Sequence, residues 1–294
     1  MDTRETLQGL VADRYEIVRE LGHGGAAVVY LALDLRLGAH VALKILHREF
    51  SGSQFASRFA QEIRLMADFH HAHILPVLDS GEWIGRPFYV MSYVEGETLE
   101  ARLARERRLP LDDVLELARG ITSALAYAHA HSVVHRDVKP SNILLSEGHA
   151  YLSDFGIAKA LKPLPGQHRT TTGTVVGTRA YMSPEQGSHD AELDGRSDLY
   201  SLGCVLFEAL AGQHPFHSAD ESRMWAMRFT NAPDSLRRHR ESVPARVDAA
   251  IMRALARDPA DRWQSAREFA EALGVLTLTS EVGIVRALLR AHVR

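Results

Sequence analysis

Hydrophobic and polar residues alternate along the first third of the chain in short segments that are bounded by glycine. Alternation with a period of two is typical of half-buried β-strands. Between Gln54 and Phe69 apolar residues instead recur every three or four positions, which predicts one amphipathic helix. The predicted strands are YEIVREL (15–21), VVYLALDL (28–35), HVALKIL (40–46) and FYVMSYV (88–94). This region is therefore expected to form a mostly antiparallel sheet with a single helix.

Helical periodicity replaces this alternation in the rest of the chain. The predicted helices span residues 111–131, 194–211, 245–257 and 264–273. The pattern changes near residues 92–98, so we expect a boundary between two lobes there. The sequence predicts a bilobal α+β fold, with a small antiparallel-sheet lobe that carries one helix and a larger, mainly helical lobe.

Composition narrows the class of protein. The 294 residues carry a net charge of −3 and 46% hydrophobic residues, which indicates a soluble globular protein and no nucleic-acid partner. The single cysteine, Cys204, excludes an intramolecular disulfide and fits a reducing compartment, so we expect a cytoplasmic location. No apolar run is long enough to span a bilayer, and the start of the chain lacks signal-peptide features. We therefore expect no transmembrane segment in this chain.

A glycine-rich turn, Gly22-His23-Gly24-Gly25, is the first candidate binding element. Backbone N–H groups in such a turn can approach phosphate oxygens because glycine has no side chain. A flexible β-hairpin explains the same composition, so the turn alone does not decide between the two. A strand is predicted directly after it, which disfavours a dinucleotide-binding fingerprint, because that motif requires a helix there.

A lysine on a predicted core strand is the second candidate. Ala42 and Lys44 lie on one face of their strand, because strand side chains alternate. A buried cation is costly unless it is paired, and Glu62, three positions after Phe59 in the predicted helix, can point inward at Lys44. The alternative is a solvated lysine and an ordinary surface glutamate.

Two further motifs are the most specific: HRDVKPSN at residues 135–142 and DFG at residues 154–156. The stretch between them, ILLSEGHAYLS (143–153), is expected to form a short hairpin. A match at five fixed residues with fixed spacing, as in these motifs, is expected by chance in about one chain in ten thousand. Together with the glycine turn, VALK and the pair Pro184-Glu185, they match in order the signature of the protein kinases, which this sequence resembles over residues 15–273. Segments such as GTRAYMSPEQ and RSDLYSLGCVLFEALAG resemble the bacterial serine/threonine kinases in particular.

The resemblance implies a role for each matching residue in the transfer of phosphate from ATP. It implies that Asp137 orients the acceptor hydroxyl and that Lys139 contacts the γ-phosphate. Lys44, fixed by Glu62, is expected to hold the α- and β-phosphates. The implied ligands of Mg²⁺ are Asn142 and Asp154, whose oxygens this ion prefers. The implied nucleotide-binding residues are Leu21, Gly22, Gly24, Gly25, Val29, Ala42, Lys44, Met91, Ser92, Val94, Leu144 and Asp154.

The resemblance also implies protein substrates and regulation through the loop after DFG. Lys139 and Thr178 predict serine and threonine acceptors. Arg136, beside Asp137, is a cation without an evident partner in the sequence, and a phosphothreonine would supply one. We expect phosphorylation to pass between two copies in a transient homodimer. The candidate regulatory sites are Thr170, Thr171, Thr172 and Thr174.

The expected organisation follows from these motifs. It comprises an N-terminal extension (1–14), a kinase domain (15–275) with lobes at 15–91 and 98–275 and a hinge at 92–97, and a basic amphipathic tail helix (276–294). His135, Asp198 and the pair Glu185 and Arg262 are expected to be structural.

Two alternatives remain open. One is a pseudokinase, which has the fold without transfer. The other is a kinase of small molecules such as antibiotics, which shares the spacing of His, Asp and Asn. The long segment from Asp154 to Glu185 favours a peptide acceptor.

Overall fold

A five-stranded sheet is built from the alternating segments in the first third of the chain. The computed structural model describes residues 14–50, 53–155, 178–187, 193–218 and 220–276. The strands are β1 (Tyr15–His23), β2 (Ala27–Asp34), β3 (Ala39–Leu46), β4 (Val77–Trp83) and β5 (Arg86–Ser92). They are hydrogen-bonded in the order β1-β2-β3-β5-β4, and every pair is antiparallel, as predicted.

Helix α1 (Ser53–Ala67) packs on one face of this sheet, which confirms the predicted helix. On that face Ala42 belongs to a buried cluster with Phe59 and Ile63 of the helix. The opposite face carries a second cluster, which includes Tyr15, Tyr30, Val41, Leu43, Trp83 and Val90. Because side chains alternate along a strand, Lys44 lies on the same face as Ala42, toward α1.

The described chain divides into two compact units between Glu95 and Gly96. The second unit contains β6 (Glu97–Thr98), α2 (Leu99–Glu106), α3 (Leu111–Ala130), β7 (Ile143–Ser146), β8 (His149–Leu152), α4 (Gly195–Ala211), α5 (Glu221–Thr230), α6 (Ala245–Ala254) and α7 (Ala266–Leu273). Most of α4 is buried, and α3, α6 and α7 pack against it. Strands β7 and β8 form the predicted hairpin, with a two-residue turn in which Glu147 and Gly148 both have positive φ (49° and 80°).

Besides the two-residue strand β6, three elements were not predicted. In β4 only Trp83 is buried, so the strand lacks an alternating apolar signal. Helix α2 is short and rich in charge, and it begins where the Thr98 hydroxyl accepts a hydrogen bond from the Ala101 N–H at 3.1 Å. Helix α5 was missed as well. In these three elements tertiary packing outweighs the local pattern.

Helix ends differ from the predicted ones by a few residues. Helix α7 begins at Ala266 because the Ser265 hydroxyl caps it, accepting from the Glu268 N–H at 3.2 Å. Helix α6 stops at Ala254 and does not reach residue 257. The amphipathic tail helix expected at residues 276–294 lies, from residue 277 onward, outside the described residues. Within the described ranges, the helices are all too short or too polar to cross a bilayer.

Candidate active site

The loop between α3 and β7 brings together three of the predicted site residues. The Lys139 Nζ lies 2.8 Å from Oδ2 of Asp137. The Asn142 amide nitrogen donates to the same carboxylate oxygen at 3.1 Å and to the Asp137 carbonyl at 2.8 Å. These bonds fix the Asp137 carboxylate. They also use the amide nitrogen of Asn142, so the amide oxygen of Asn142 remains the atom that can accept or coordinate.

A buried carboxylate on α4 holds the start of this loop in place. Asp198 accepts hydrogen bonds from the backbone N–H groups of His135 at 2.8 Å and Arg136 at 2.7 Å. A third bond, 2.8 Å long, comes from Nε2 of His129 on α3. Arg136 has a positive φ of 70°, which is uncommon for a residue with a side chain. Asp198 therefore acts on the shape of the loop, as predicted.

His135 is fully buried and has the structural role that the sequence predicts. Its Nδ1 accepts from the Asp137 N–H at 3.2 Å, and its Nε2 lies 2.8 Å from the Ser153 carbonyl oxygen. This pair of contacts requires the neutral ring with its proton on Nε2. The ring also meets Phe155 edge to face, with centroids 4.5 Å apart. His135 thus joins the catalytic loop to the DFG segment.

Asp154 is placed beside Asn142 by the backbone of β8 and its extension. The Ser153 N–H donates to the Asn142 carbonyl at 3.0 Å, and the Ser153 hydroxyl donates to the same oxygen at 3.1 Å. Asp154 itself has a φ of 66°. Such a conformation costs about 1–3 kcal/mol and is found mainly at functional sites.

In the first unit, Lys44 lies on β3 and Glu62 on α1, and residues of both elements belong to one buried cluster. The Lys44 Nζ is 5.9 Å from the ring centroid of Tyr89. Glu62 is only 8% exposed although it is a carboxylate, and it sits between Phe59 and Ile63, which pack on the sheet. The pairing of Lys44 with Glu62 stays a prediction.

The glycine-rich turn joins β1 to β2, as predicted. Its backbone closes through a 2.9 Å bond from the Gly24 N–H to the Ala27 carbonyl, and Nε2 of His47 lies 2.9 Å from the Gly24 oxygen. A Cβ added at Gly22 or Gly24 would meet nothing within 4 Å. Packing within the protein does not require glycine there, whereas a ligand that approaches the backbone would.

The remaining predicted nucleotide-binding residues lie in both units. Met91 and Ser92 are buried at the end of β5, and the Ser92 N–H is 3.3 Å from the Pro76 carbonyl oxygen. In the first unit Leu21, Val29 and Val94 are half-buried, and so is Leu144 on β7 in the second. Gly25 is exposed.

Comparison with known proteins identifies the family. The model of the protein kinase domain matches residues 15–273. This chain belongs to the protein kinase domain family. It is 38% identical to the serine/threonine-protein kinase PknB of Mycolicibacterium smegmatis over 264 residues, and 37% identical to PrkC of Bacillus subtilis over 260 residues. A protein of Streptomyces coelicolor, described as a probable serine/threonine-protein kinase, is 39% identical over 261 residues.

These matches cover 87–88% of this chain but only about two-fifths of the relatives. The chain therefore spans about two-fifths of the length of the curated relatives that it matches.

The kinase domain contains a buried ion pair between Glu185, in the Pro-Glu pair, and Arg262. Arg262 donates from Nη1 and Nη2 to the Glu185 carboxylate at 2.6 Å and 2.8 Å, as the sequence predicts. Burial acts to raise the pKa of Glu185, but the hydrogen bonds and charge of Arg262 outweigh it and hold the pKa below its usual value. Cys204 is fully buried, and burial raises the pKa of its thiol to about 12, which makes it unreactive.

Sequence reasoning missed three residues that shape this part of the kinase domain. His129 is the third donor to Asp198. Gln186 donates from Nε2 to the Arg136 carbonyl at 2.8 Å. Arg228 on α5, nearly fully buried, donates to the carbonyl oxygens of Met182 and Ala180. Only Gln186 had a sequence signal, because it directly follows the Pro-Glu pair.

The predicted regulatory sites Thr170, Thr171, Thr172 and Thr174 lie outside the described residues, and so does the side chain of Thr178.

Proposed function

We propose that this chain transfers the γ-phosphoryl group of ATP to serine and threonine hydroxyls of proteins. The observation that carries the proposal is the Asp137 carboxylate, held by Lys139 and Asn142 in a loop that Asp198 fixes. The names of the relatives, PknB and PrkC among them, support the serine/threonine class.

In the proposed reaction the acceptor oxygen forms a bond to the γ-phosphorus while the bond from that phosphorus to the bridging oxygen of ADP breaks. Asp137 orients the hydroxyl and accepts its proton. Lys139 contacts the transferred phosphoryl group in this proposal, and its Nζ, 2.8 Å from Oδ2 of Asp137, supports a second role of holding that carboxylate. Lys44 neutralises charge on the α- and β-phosphates, and Glu62 positions it.

Asn142 and Asp154 fit a magnesium ion by the chemistry of their donors. An amide oxygen and a carboxylate are hard ligands, and Mg²⁺ is usually held by one or two such groups together with substrate phosphates. When bound, the ion would neutralise charge on the phosphate oxygens. The bonds from the Asn142 nitrogen to Asp137 keep the amide oxygen available for this role.

The proposed contacts with ATP are assigned residue by residue. The open space around Gly22 and Gly24 supports an approach of phosphates to the turn. We assign the adenine edge to backbone groups of Ser92 and Val94, next to Met91. The apolar side chains of Leu21, Val29, Ala42 and Leu144 are assigned to the adenine base. Gly25, in the glycine-rich turn, is assigned to the phosphates.

Regulation and acceptor choice complete the proposal. We place the acceptor pocket at Thr178 and the regulatory phosphates within residues 170–174, added in a transient homodimer. The proposed boundaries are 1–14, 15–275 and 276–294, with a hinge at 92–97. A cytoplasmic location is supported by the free thiol of Cys204.

Two substitutions at the loop test the proposal. Asp137→Asn is expected to keep affinity for ATP and to lower phosphate transfer to a generic basic protein by orders of magnitude, because this side chain acts on the acceptor. Asp154→Ala is expected to abolish the magnesium-dependent part of ATP binding. Both are measured by calorimetry and by ³²P incorporation, with phosphoamino-acid analysis of the product.

The same assay decides between the alternatives. Wild-type protein that binds ATP without transferring phosphate would indicate a pseudokinase. Transfer to aminoglycosides in preference to protein would indicate a small-molecule kinase. Near-normal transfer by the Asp137 variant, or a product that is mainly phosphotyrosine, would contradict the assignment.

A further inference from the structure

Two arginine-rich runs that are far apart in the sequence meet on the surface of the second unit. One is Arg107-Arg108, directly after α2, and the other follows Leu236. Nη1 of Arg240 donates to the Leu109 carbonyl at 2.6 Å, which joins the two runs. A neighbouring bond of 3.1 Å links Gln213 to His239.

The segment at the end of α4 completes this junction. A Cβ at Gly212 would overlap the Arg108 side chain, and the Leu109 N–H donates to the Ala209 carbonyl at 2.8 Å. We call Arg107, Arg108, Arg237 and Arg240 the arginine patch.

The charges of the arginine patch are not compensated within the described part of the chain. None of its four members forms an ion pair with a carboxylate there, and three of them are exposed. The surrounding arginines behave differently. Arg102 pairs with Glu106 and Asp113, Arg105 pairs with Glu97, and Arg238 pairs with Asp234. This concentration of positive charge occurs in a chain whose net charge is −3.

The backbone at Arg107 gives a second, independent indication that the arginine patch serves binding. Arg107 closes helix α2 through a 2.8 Å bond from its N–H to the Leu103 carbonyl, and its φ is 60°. Glycine adopts a positive φ without the strain that a side chain brings. The chain has an exposed arginine there instead, with no partner among the described residues. No contact within the described part of the chain explains this guanidinium, which points to a role in binding.

We propose that the arginine patch binds a short acidic segment of a partner protein. Guanidinium groups bind carboxylates through two parallel hydrogen bonds, so a run of glutamate or aspartate side chains complements several arginines at once. Carboxylates at Glu106, Asp234 and Glu241 lie next to the two runs in the sequence, which favours a short acidic segment over a long one.

Other anionic surfaces fit the arginine patch less well. Binding to a membrane surface requires apolar side chains that insert into it. Among the described residues, the large exposed apolar side chains are Val18, Leu35, Leu37, Leu65, Leu78 and Ile84, all in the first unit. A nucleic acid carries a continuous line of phosphates, which the flanking carboxylates would repel.

Fluorescence anisotropy with a labelled peptide of alternating glutamate and serine tests this proposal on the full chain, without ATP. Arg107→Gly is expected to weaken binding about three- to tenfold, and the Arg107→Gly, Arg237→Glu double variant more strongly. Added salt is expected to weaken binding by wild-type protein. The matched control is Arg36→Gly in the exposed turn between β2 and β3, which removes one positive charge as Arg107→Gly does and should bind like wild type.

The melting temperature separates binding from folding. Because glycine relieves the strained backbone at position 107, Arg107→Gly should melt at or above the wild-type temperature while it binds more weakly. Equal binding by the patch variants and the wild type would overturn the proposal. Tighter binding to phosphatidylserine vesicles or to oligothymidylate than to the acidic peptide would overturn it too. Because no phosphate transfer is measured, the result is independent of the proposed kinase activity.

Discussion

At the scale of single residues, the Glu185–Arg262 pair shows how much depends on one buried contact. The Arg262 side chain is 0% exposed and that of Glu185 13%. Glu185→Gln leaves the guanidinium buried without a counter-charge, so we expect a loss of about 3–5 kcal/mol in the free energy of unfolding. Glu271→Gln in the exposed pair with Arg267 is the control and should cost less than about 0.5 kcal/mol. Urea unfolding measures both, and similar losses would contradict the expected difference.

His214 predicts a pH dependence of stability. Burial, assisted by the charge of Arg228, lowers the pKa of His214 to about 3, from an ordinary value of 6.5. Below pH 6.5 the unfolded state binds a proton that the folded state does not, so stability present above pH 6.5 is lost as the pH falls toward 3. Between pH 6.5 and 5 the loss from this residue is about 2 kcal/mol.

His214→Asn tests this, because the asparagine oxygen can accept the Phe216 N–H as Nδ1 does at 3.1 Å. The variant should lose about 2 kcal/mol less than wild type over that pH range in urea unfolding. The exposed His23→Asn is the matched control. Equal pH dependence in wild type and in the His214 variant would show that this histidine does not cause the loss.

Some site residues could be read from the sequence and others could not, for a physical reason. Asp137, Lys139 and Asn142 lie within six consecutive positions, so one local turn brings them together. The contacts of His129 and Gln186 depend on how distant elements pack. No local pattern in the sequence encodes such contacts.

At the scale of elements, substitutions in the glycine-rich turn test whether its glycines are needed for folding or for ATP binding. Gly22→Ala and Gly24→Ala meet open space, so the free energy of unfolding should stay within about 0.5 kcal/mol of wild type. KM for ATP should rise severalfold, because a methyl group occupies space that the proposed phosphates need. Gly96→Ala is the contrasting control, since its Cβ would overlap the Leu145 carbonyl and destabilise the fold. An unchanged KM would remove the turn from the proposed site.

The sheet illustrates what a pattern can and cannot predict at this scale. Strands β1, β2, β3 and β5 alternate or are strongly apolar, and each was predicted. Strand β4 is defined by its pairing with β5, from Val77 opposite Met91 to Trp83 opposite Arg86. Its own residues are mostly exposed, so a neighbour and not the local sequence makes this segment a strand.

At the scale of the whole molecule, the proposed control by phosphorylation acts through Arg136. Within the described residues no carboxylate pairs with its side chain, although its backbone is bonded to Asp198 and Gln186. Incubation with Mg-ATP is expected to give phosphothreonine within residues 170–174, detected by mass spectrometry. Replacing Thr170, Thr171, Thr172 and Thr174 by alanine should lower activity at least severalfold, because Arg136 then has no phosphate to bind.

Arg136→Gln provides the control for this mechanism. If the phosphate acts through Arg136, combining this change with the four alanines should lower activity no further than either change alone. Full activity of the quadruple variant, with no phosphate on the wild-type loop, would show that this kinase domain is not switched through its loop.

The three hydrogen bonds that Asp198 accepts also determine when, during synthesis of the chain, the loop with the HRD motif can take its folded shape. The catalytic loop leaves the ribosome well before Asp198 does, since translation proceeds from the N-terminus. Until α4 has emerged and become buried, the N–H groups of His135 and Arg136 lack the carboxylate that orients them. A nascent chain that ends before α4 therefore carries the complete HRD motif without the carboxylate contacts that give it its folded shape.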